Sequence, residues 1–182
     1  MLFLALPPQA MLASNYSISA SPVDPIASYK VEITSALASQ HEVKVVALLR
    51  PMGTVDLTVS SMGGGPSEQW VFIDRCYDEQ NQPVNLEQIN NRTWRVNTAS
   101  GVTIEYRAKA NIPAPMTPGS YLTYLSEDCG LISAGGILLT PSTGGKAIVS
   151  FDLPEGWTVI TDETWIPQSQ TEYLVDTTDF EH

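Results

Sequence analysis

Period-two alternation constrains this chain more than any other feature. Tyr29, Val31 and Ile33 alternate with Lys30, Glu32 and Thr34; Val55, Leu57 and Val59 with Asp56, Thr58 and Ser60; Val102, Ile104, Tyr106 and Ala108 with Thr103, Glu105, Arg107 and Lys109. Successive side chains on a strand point to opposite faces, so each run turns an apolar face to a core and a polar face to water. That is the pattern of antiparallel sheets wet on one side. Segments 43–49, 70–75, 93–97, 121–125, 136–140, 146–153 and 157–161 also read as strands. Residues 43–49 and 70–73 are apolar on both faces and are expected at the centre of a sheet. No window repeats at 3.6 residues, and residues 84–90 have room for one helical turn at most.

Turn residues separate these runs. Met62-Gly63-Gly64-Gly65-Pro66 reads as a flexible loop, and the stretch from Asp78 to Pro83 joins two short strands. Ser100-Gly101 and Ser142-Thr143-Gly144-Gly145 read as hairpin turns. The fold class expected is all-β: an antiparallel β-sandwich or two-sheet saddle of about ten short strands. A chain of 182 residues with 43% hydrophobic content fits one domain with a real core.

Charge narrows the partners. The formal net charge is −11, which argues against nucleic acid and against an anionic membrane surface, both of which recruit Lys and Arg. After Lys146 there is no Lys or Arg but there are eight acids, which reads either as a surface for a basic partner or as a solvated edge. The apolar, uncharged start, residues 1–13, is too short to span a bilayer. It reads either as the end of a secretory signal, hence an exported periplasmic or extracellular protein, or as a hydrophobic first strand. Cys76 and Cys129 are too few for structural zinc. They are either one disulfide of an exported protein or two separate thiols.

Catalytic constellations are missing. His41-Glu42 opens like a zincin motif but lacks a second His four residues on, and it lies in a strand pattern. His182 is the only other histidine. Gly63-Gly64-Gly65 lacks the Lys and the helix of a phosphate loop. Glu127 and Asp128 are adjacent carboxylates that a loop would leave solvated, and Asp74, Asp78 and Glu79 do not have EF-hand spacing. Trp70, Trp94 and Trp157 fall on strand patterns and read as core filling; Trp165 reads as the most exposed of the four.

The order of short motifs carries a resemblance. Tyr29-Lys30-Val31-Glu32-Ile33 opens the series, Thr93-Trp94-Arg95-Val96 and Glu105-Tyr106-Arg107-Ala108 follow, and Leu153-Pro154-Glu155-Gly156-Trp157 is its most specific piece. Tyr173-Leu174-Val175-Asp176 closes it, with Thr177-Thr178 where Ser-Pro is common. This order resembles the N-terminal β-domain of the glycyl-aminopeptidase-like, thermolysin-like gluzincin family of zinc metallopeptidases. The resemblance implies an accessory domain, non-catalytic by itself, with no cofactor of its own. Zinc and its His-Glu-x-x-His ligands would belong to a following catalytic domain, the expected partner. Peptide substrate would meet this chain only at the interface between the two. The layout expected is a signal-like or flexible segment at 1–26, a β-sandwich at 27–163, and an acidic crossing segment at 164–182. Trp165, Tyr173, Leu174, Val175 and Asp176 are its expected interdomain contacts. The alternative is a free-standing exported β-sandwich that binds carbohydrate or protein.

Overall fold

The computed structural model describes residues 24–59, 70–110, 124–161 and 164–181. The glycine-rich loop at 62–66, the strand reading at 121–123 and the apolar N-terminal segment lie outside these residues. In chain order the elements are β1 (Ala27–Glu32), α1 (Ser35–Ser39), β2 (Glu42–Leu49), β3 (Thr54–Thr58), β4 (Val71–Tyr77), β5 (Leu86–Asn90), β6 (Thr93–Asn97) and β7 (Val102–Lys109). They continue with β8 (Tyr124–Leu125), β9 (Gly130–Leu131), α2 (Ala134–Ile137), β10 (Thr140–Pro141), β11 (Lys146–Asp152), β12 (Ile166–Pro167), β13 (Glu172–Asp176) and a closing 3-10 turn, Thr177–Glu181. The chain is mostly β, as its alternation requires.

Two open sheets carry the architecture. The large one has seven strands in the order β12-β13-β11-β1-β2-β7-β4; the small one has four, in the order β10-β3-β6-β5. A further pair, β8-β9, stands apart. The large sheet is mixed because β1 runs parallel to β11 while every other described pairing in it is antiparallel. Alternation sorts the side chains as expected. On β7, Val102, Ile104, Tyr106 and Ala108 are buried, and on β1 so are Ala27, Tyr29 and Val31. From the small sheet Val55, Leu57, Trp94 and Val96 join the same buried cluster, so one core serves both sheets.

Several expectations are corrected. Residues 84–90 supply strand β5, which pairs with β6, not a helical turn. Of residues 70–73, Val71, Phe72 and Ile73 belong to β4, an edge strand of the large sheet, not a central one. Its outward Phe72 is covered by the Lys109 ammonium, 5.3 Å from the ring centre, so an apolar side chain is tolerated there. Ser100-Gly101 closes no hairpin: β6 pairs with β3 and β5, whereas β7 pairs with β2 and β4. The buried Thr98 diverts the chain. Its hydroxyl donates to the Gly53 carbonyl at 3.0 Å and accepts the Met52 N–H at 2.8 Å, and Gly101 then turns with φ +75°. Ser142–Gly145 likewise links the small sheet, through β10, to the large one, through β11. Residues 157–161 form no strand, because the Pro154-Glu155-Gly156 turn, with Gly156 at φ +84° and the Trp157 N–H on the Pro154 carbonyl, lifts them off the sheet.

Two short helices appear that no sequence period announces. Helix α1 is capped by Thr34, whose Oγ1 accepts the Leu37 N–H at 3.2 Å. Helix α2 contains two buried glycines and is held from outside itself. The Trp70 indole N–H donates to the Gly136 carbonyl at 3.0 Å, the Tyr106 hydroxyl to Ile137 at 2.9 Å and the Tyr29 hydroxyl to Leu139 at 2.7 Å. The Leu139 N–H returns a bond to the Tyr106 oxygen at 3.1 Å. Three large aromatics thus satisfy carbonyls that a four-residue helix leaves unpaired in the core.

Residues 164–181 carry two strands of the large sheet. β13 pairs with β11 from Lys146↔Asp176 to Ser150↔Glu172, and β12 pairs with β13.

Candidate functional site

A groove of about 630 Å³ opens between the large sheet and the segments that leave it. Its floor is the inward face where β1 and β11 end: Val31 and Ile33 beside Val149, Phe151 and Leu153. One wall is the stretch running from β9 into α2, with Leu131, Ile132, Ala134 and Ile137. The facing wall is the segment lifted by the Pro154 turn, with Trp157, Val159 and Ile160. Trp165 and Phe180 also line it. The three aromatic hydrogen bonds to the α2 region therefore fix one wall of the groove as well as the core behind it.

An aromatic cluster stiffens this region. Trp165 lies 6.4 Å from Phe151 in a stacked arrangement, 6.0 Å from Tyr173 edge-on and 6.1 Å from Phe180; Phe180 in turn meets Tyr29 at 6.0 Å. Such pairs add to stability beyond the area they bury and leave little rotamer freedom. The polar residues of the lining are few: Ser133, Thr158, Thr161 and Asp179. A large apolar concavity with a few polar groups is the usual form of a binding site.

The mouth of the groove is unusual for a soluble surface. Ile160 is 93% exposed, Leu131 62% and Tyr124 49%, and Tyr124 is the strand partner of Leu131. Half of the six large hydrophobic side chains that stand out in water among the described residues are thus on or beside this groove. Contiguous exposed apolar surface marks an interaction site.

The residues singled out in sequence are distributed as follows. Trp165 is half-buried, in the groove and its aromatic cluster. Tyr173 and Val175 face the core from β13, while Leu174 and Asp176 alternate to the outer face. Asp176 is held below the usual carboxylate range, chiefly by the Thr178 hydroxyl and N–H, with Lys146 at 3.1 Å adding to the effect. Trp70 and Trp94 are core residues, and Trp157 is a half-buried wall of the groove. Cys76 is half-buried, Cys129 is exposed, and both are free thiols. The His41 Nδ1 lies 2.8 Å from the Leu125 carbonyl, and His182 is outside the described residues. Asp74 pairs with Arg107, while Asp78 accepts the N–H groups of Gln80 and Gln82 within its loop. Among the described residues no three His, Cys, Asp or Glu side chains converge as metal ligands would.

No family model and no curated protein matches the sequence. The fold, however, has solved counterparts. An aminopeptidase N family protein from Idiomarina loihiensis aligns with a TM-score of 0.57 at 14% identity, covering 84% of this chain and 27% of that one. The chain shares its fold with part of an aminopeptidase N family protein. An M1 zinc metallopeptidase from Deinococcus radiodurans aligns with a TM-score of 0.44 at 11% identity, covering 82% of this chain and 37% of that chain. The chain therefore spans between about a quarter and two-fifths of the length of these proteins. The described residues do not fit a zinc ion: His41 is the one described histidine, and no ligand set forms around it.

Proposed function

We propose that this chain is a non-catalytic accessory domain of a zinc aminopeptidase-like protein, which packs on a catalytic domain and shapes its substrate cleft. The observation that carries the reading is the fold shared with about a quarter of an aminopeptidase N family protein. The apolar groove with its exposed rim supports it, since such a surface is what a domain shows when a neighbour is taken away. In this reading the aromatic cluster around Trp165 keeps the groove rigid so that the interface is formed before contact. The same proposal makes the protein an exported one, from its apolar, uncharged first residues.

The test starts with the coding sequence on both sides of this chain. A downstream His-Glu-x-x-His frame is expected. The longer protein should then bind about one zinc and hydrolyse N-terminal residues from peptides, while residues 1–182 alone should do neither. A stop codon directly after His182, with this chain alone binding a carbohydrate or an unrelated protein, would replace the reading with that of a free-standing binding module.

A further inference from the structure

The lining of the groove is apolar apart from three hydroxyl residues and one charged residue, Asp179. From residue 110 onward, the part of the chain that supplies nearly all of its walls, there are ten acids, two at 127–128 and eight between 152 and 181, against one base, Lys146. That base is engaged by Asp176 at 3.1 Å. The other base near the floor strands, Lys30, alternates to the outer face of β1 and pairs there with Asp152 at 2.8 Å. Asp179 is different from these paired acids. It is half-buried, lines the groove, and makes no hydrogen bond or ion pair with the described residues. A carboxylate kept from full hydration beside apolar walls gains most from a cation that arrives with an apolar body.

We infer that this groove seats a polypeptide segment in which two or three apolar side chains flank a Lys or Arg, its cationic head meeting Asp179. The volume, about 630 Å³, suits a few side chains, not a whole helix or a lone methyl group. The exposed rim decides between a segment and a small molecule. An occupant confined to the cavity would leave Ile160, Leu131 and Tyr124 in water, whereas a chain that continues over the lip covers them. A second copy is disfavoured by symmetry, because a two-fold contact through this surface would set Asp179 against its own copy with no cation between them. The inference rests on the accessory-domain reading only for the source of the segment, which would then be the neighbouring domain.

Two synthetic peptides test it on residues 1–182: acetylated Leu-Lys-Leu-Phe-Arg-Leu amide, and the same peptide with Glu in both basic positions. Binding is read from the fluorescence of Trp157 and Trp165. The basic peptide should bind at least tenfold more tightly than the acidic one, and Asp179→Asn should shrink that preference at least fivefold. Ile160→Ser with Leu131→Ser, both exposed and harmless to the core, should weaken the basic peptide at least fivefold. Equal affinity for the two peptides overturns the inference. So does n-decanol reproducing the full fluorescence change while the rim variants bind peptide as before, which would mark a small-molecule cavity. A dimer in sedimentation that the rim substitutions dissociate would assign the groove to a second copy. None of these outcomes touches the accessory reading, which the flanking coding sequence decides.

Discussion

One hydroxyl, that of Tyr106, both donates to the Ile137 carbonyl and accepts the Leu139 N–H, so a single oxygen closes two backbone groups in the core. Burial pushes the Tyr106 phenol well above its usual range; burial does the same for Tyr29, with the neighbouring Tyr106 adding to it. The folded chain thus keeps two protons that the unfolded chain releases near pH ~10. Stability from these groups is fully present below that pH and is lost as pH rises towards the higher folded-state values. The urea midpoint should therefore fall between pH 10 and about 11.5, and less so in Tyr106→Phe. At pH 7 that variant should lose about 1–3 kcal/mol, the cost of leaving buried backbone groups unpaired. A midpoint unchanged in the variant would mean that water replaces the hydroxyl. The cysteines separate in the same way. Burial pushes the Cys76 thiol up to about 11, whereas Cys129 is exposed. Iodoacetamide at pH 8 should label Cys129 at least about tenfold faster than Cys76, because only thiolate reacts. Peptide mapping reads this directly, and protection of both until a reductant is added would reveal a disulfide instead.

At the scale of elements, the strands were legible where one face is buried and the other wet. β1, β3 and β7 follow their alternation residue by residue, since the sheet's pleat has the same period as the sequence. Partners were not legible. Ser100-Gly101 has the residues of a hairpin turn, yet the hydrogen bonds of the buried Thr98 to residues 52 and 53 send β7 into the other sheet. Nor was α2, whose carbonyls are met by Trp70, Tyr106 and Tyr29 from far along the chain. The groove was hidden for the same reason: its floor, walls and end come from four separate stretches. Two signals did point towards it, namely the absence of bases after Lys146 and the apolar Trp165-Ile166 within an acidic stretch. β13 gives the sharpest test at this scale. Its sequence fits a segment lying between domains, while its pairings with β11 and the inward Tyr173 and Val175 tie it to the sheet. Hydrogen exchange should find the β13 amides that face β11 as slow as those of β11 itself. Exchange about tenfold faster across 172–176 would mean that the strand frays alone and is ordered by a neighbouring domain.

For the whole molecule, the question is what an excess of eleven negative charges does to a two-sheet core. All nine bases are already engaged. Seven lie within ion-pair distance of a carboxylate, Arg92 sits 4.8 Å over the Trp70 ring and Lys109 covers Phe72. The ion pairs are surface pairs, each worth little, and most are partly open to solvent. Further acids have no base left to meet, so their mutual repulsion is opposed only by dissolved ions. Salt weakens both the pairs and the repulsion, and the sign of the net effect shows which is larger. The repulsion acts among many charges over distances longer than a salt bridge, so it is the more strongly screened once the Debye length falls to about 8–10 Å. The thermal midpoint should therefore rise as sodium chloride is raised from about 0.01 M to about 0.15 M, the range over which the Debye length falls from about 30 Å to about 8 Å. Potassium chloride should act alike, since screening does not depend on the identity of a monovalent cation. A midpoint that falls with salt would show that the ion pairs outweigh the repulsion. Neutralising an acid near the groove, as in Asp179→Asn, should raise the midpoint at low salt and change it little at 0.15 M, because the relief it brings is the same relief that the salt already supplies.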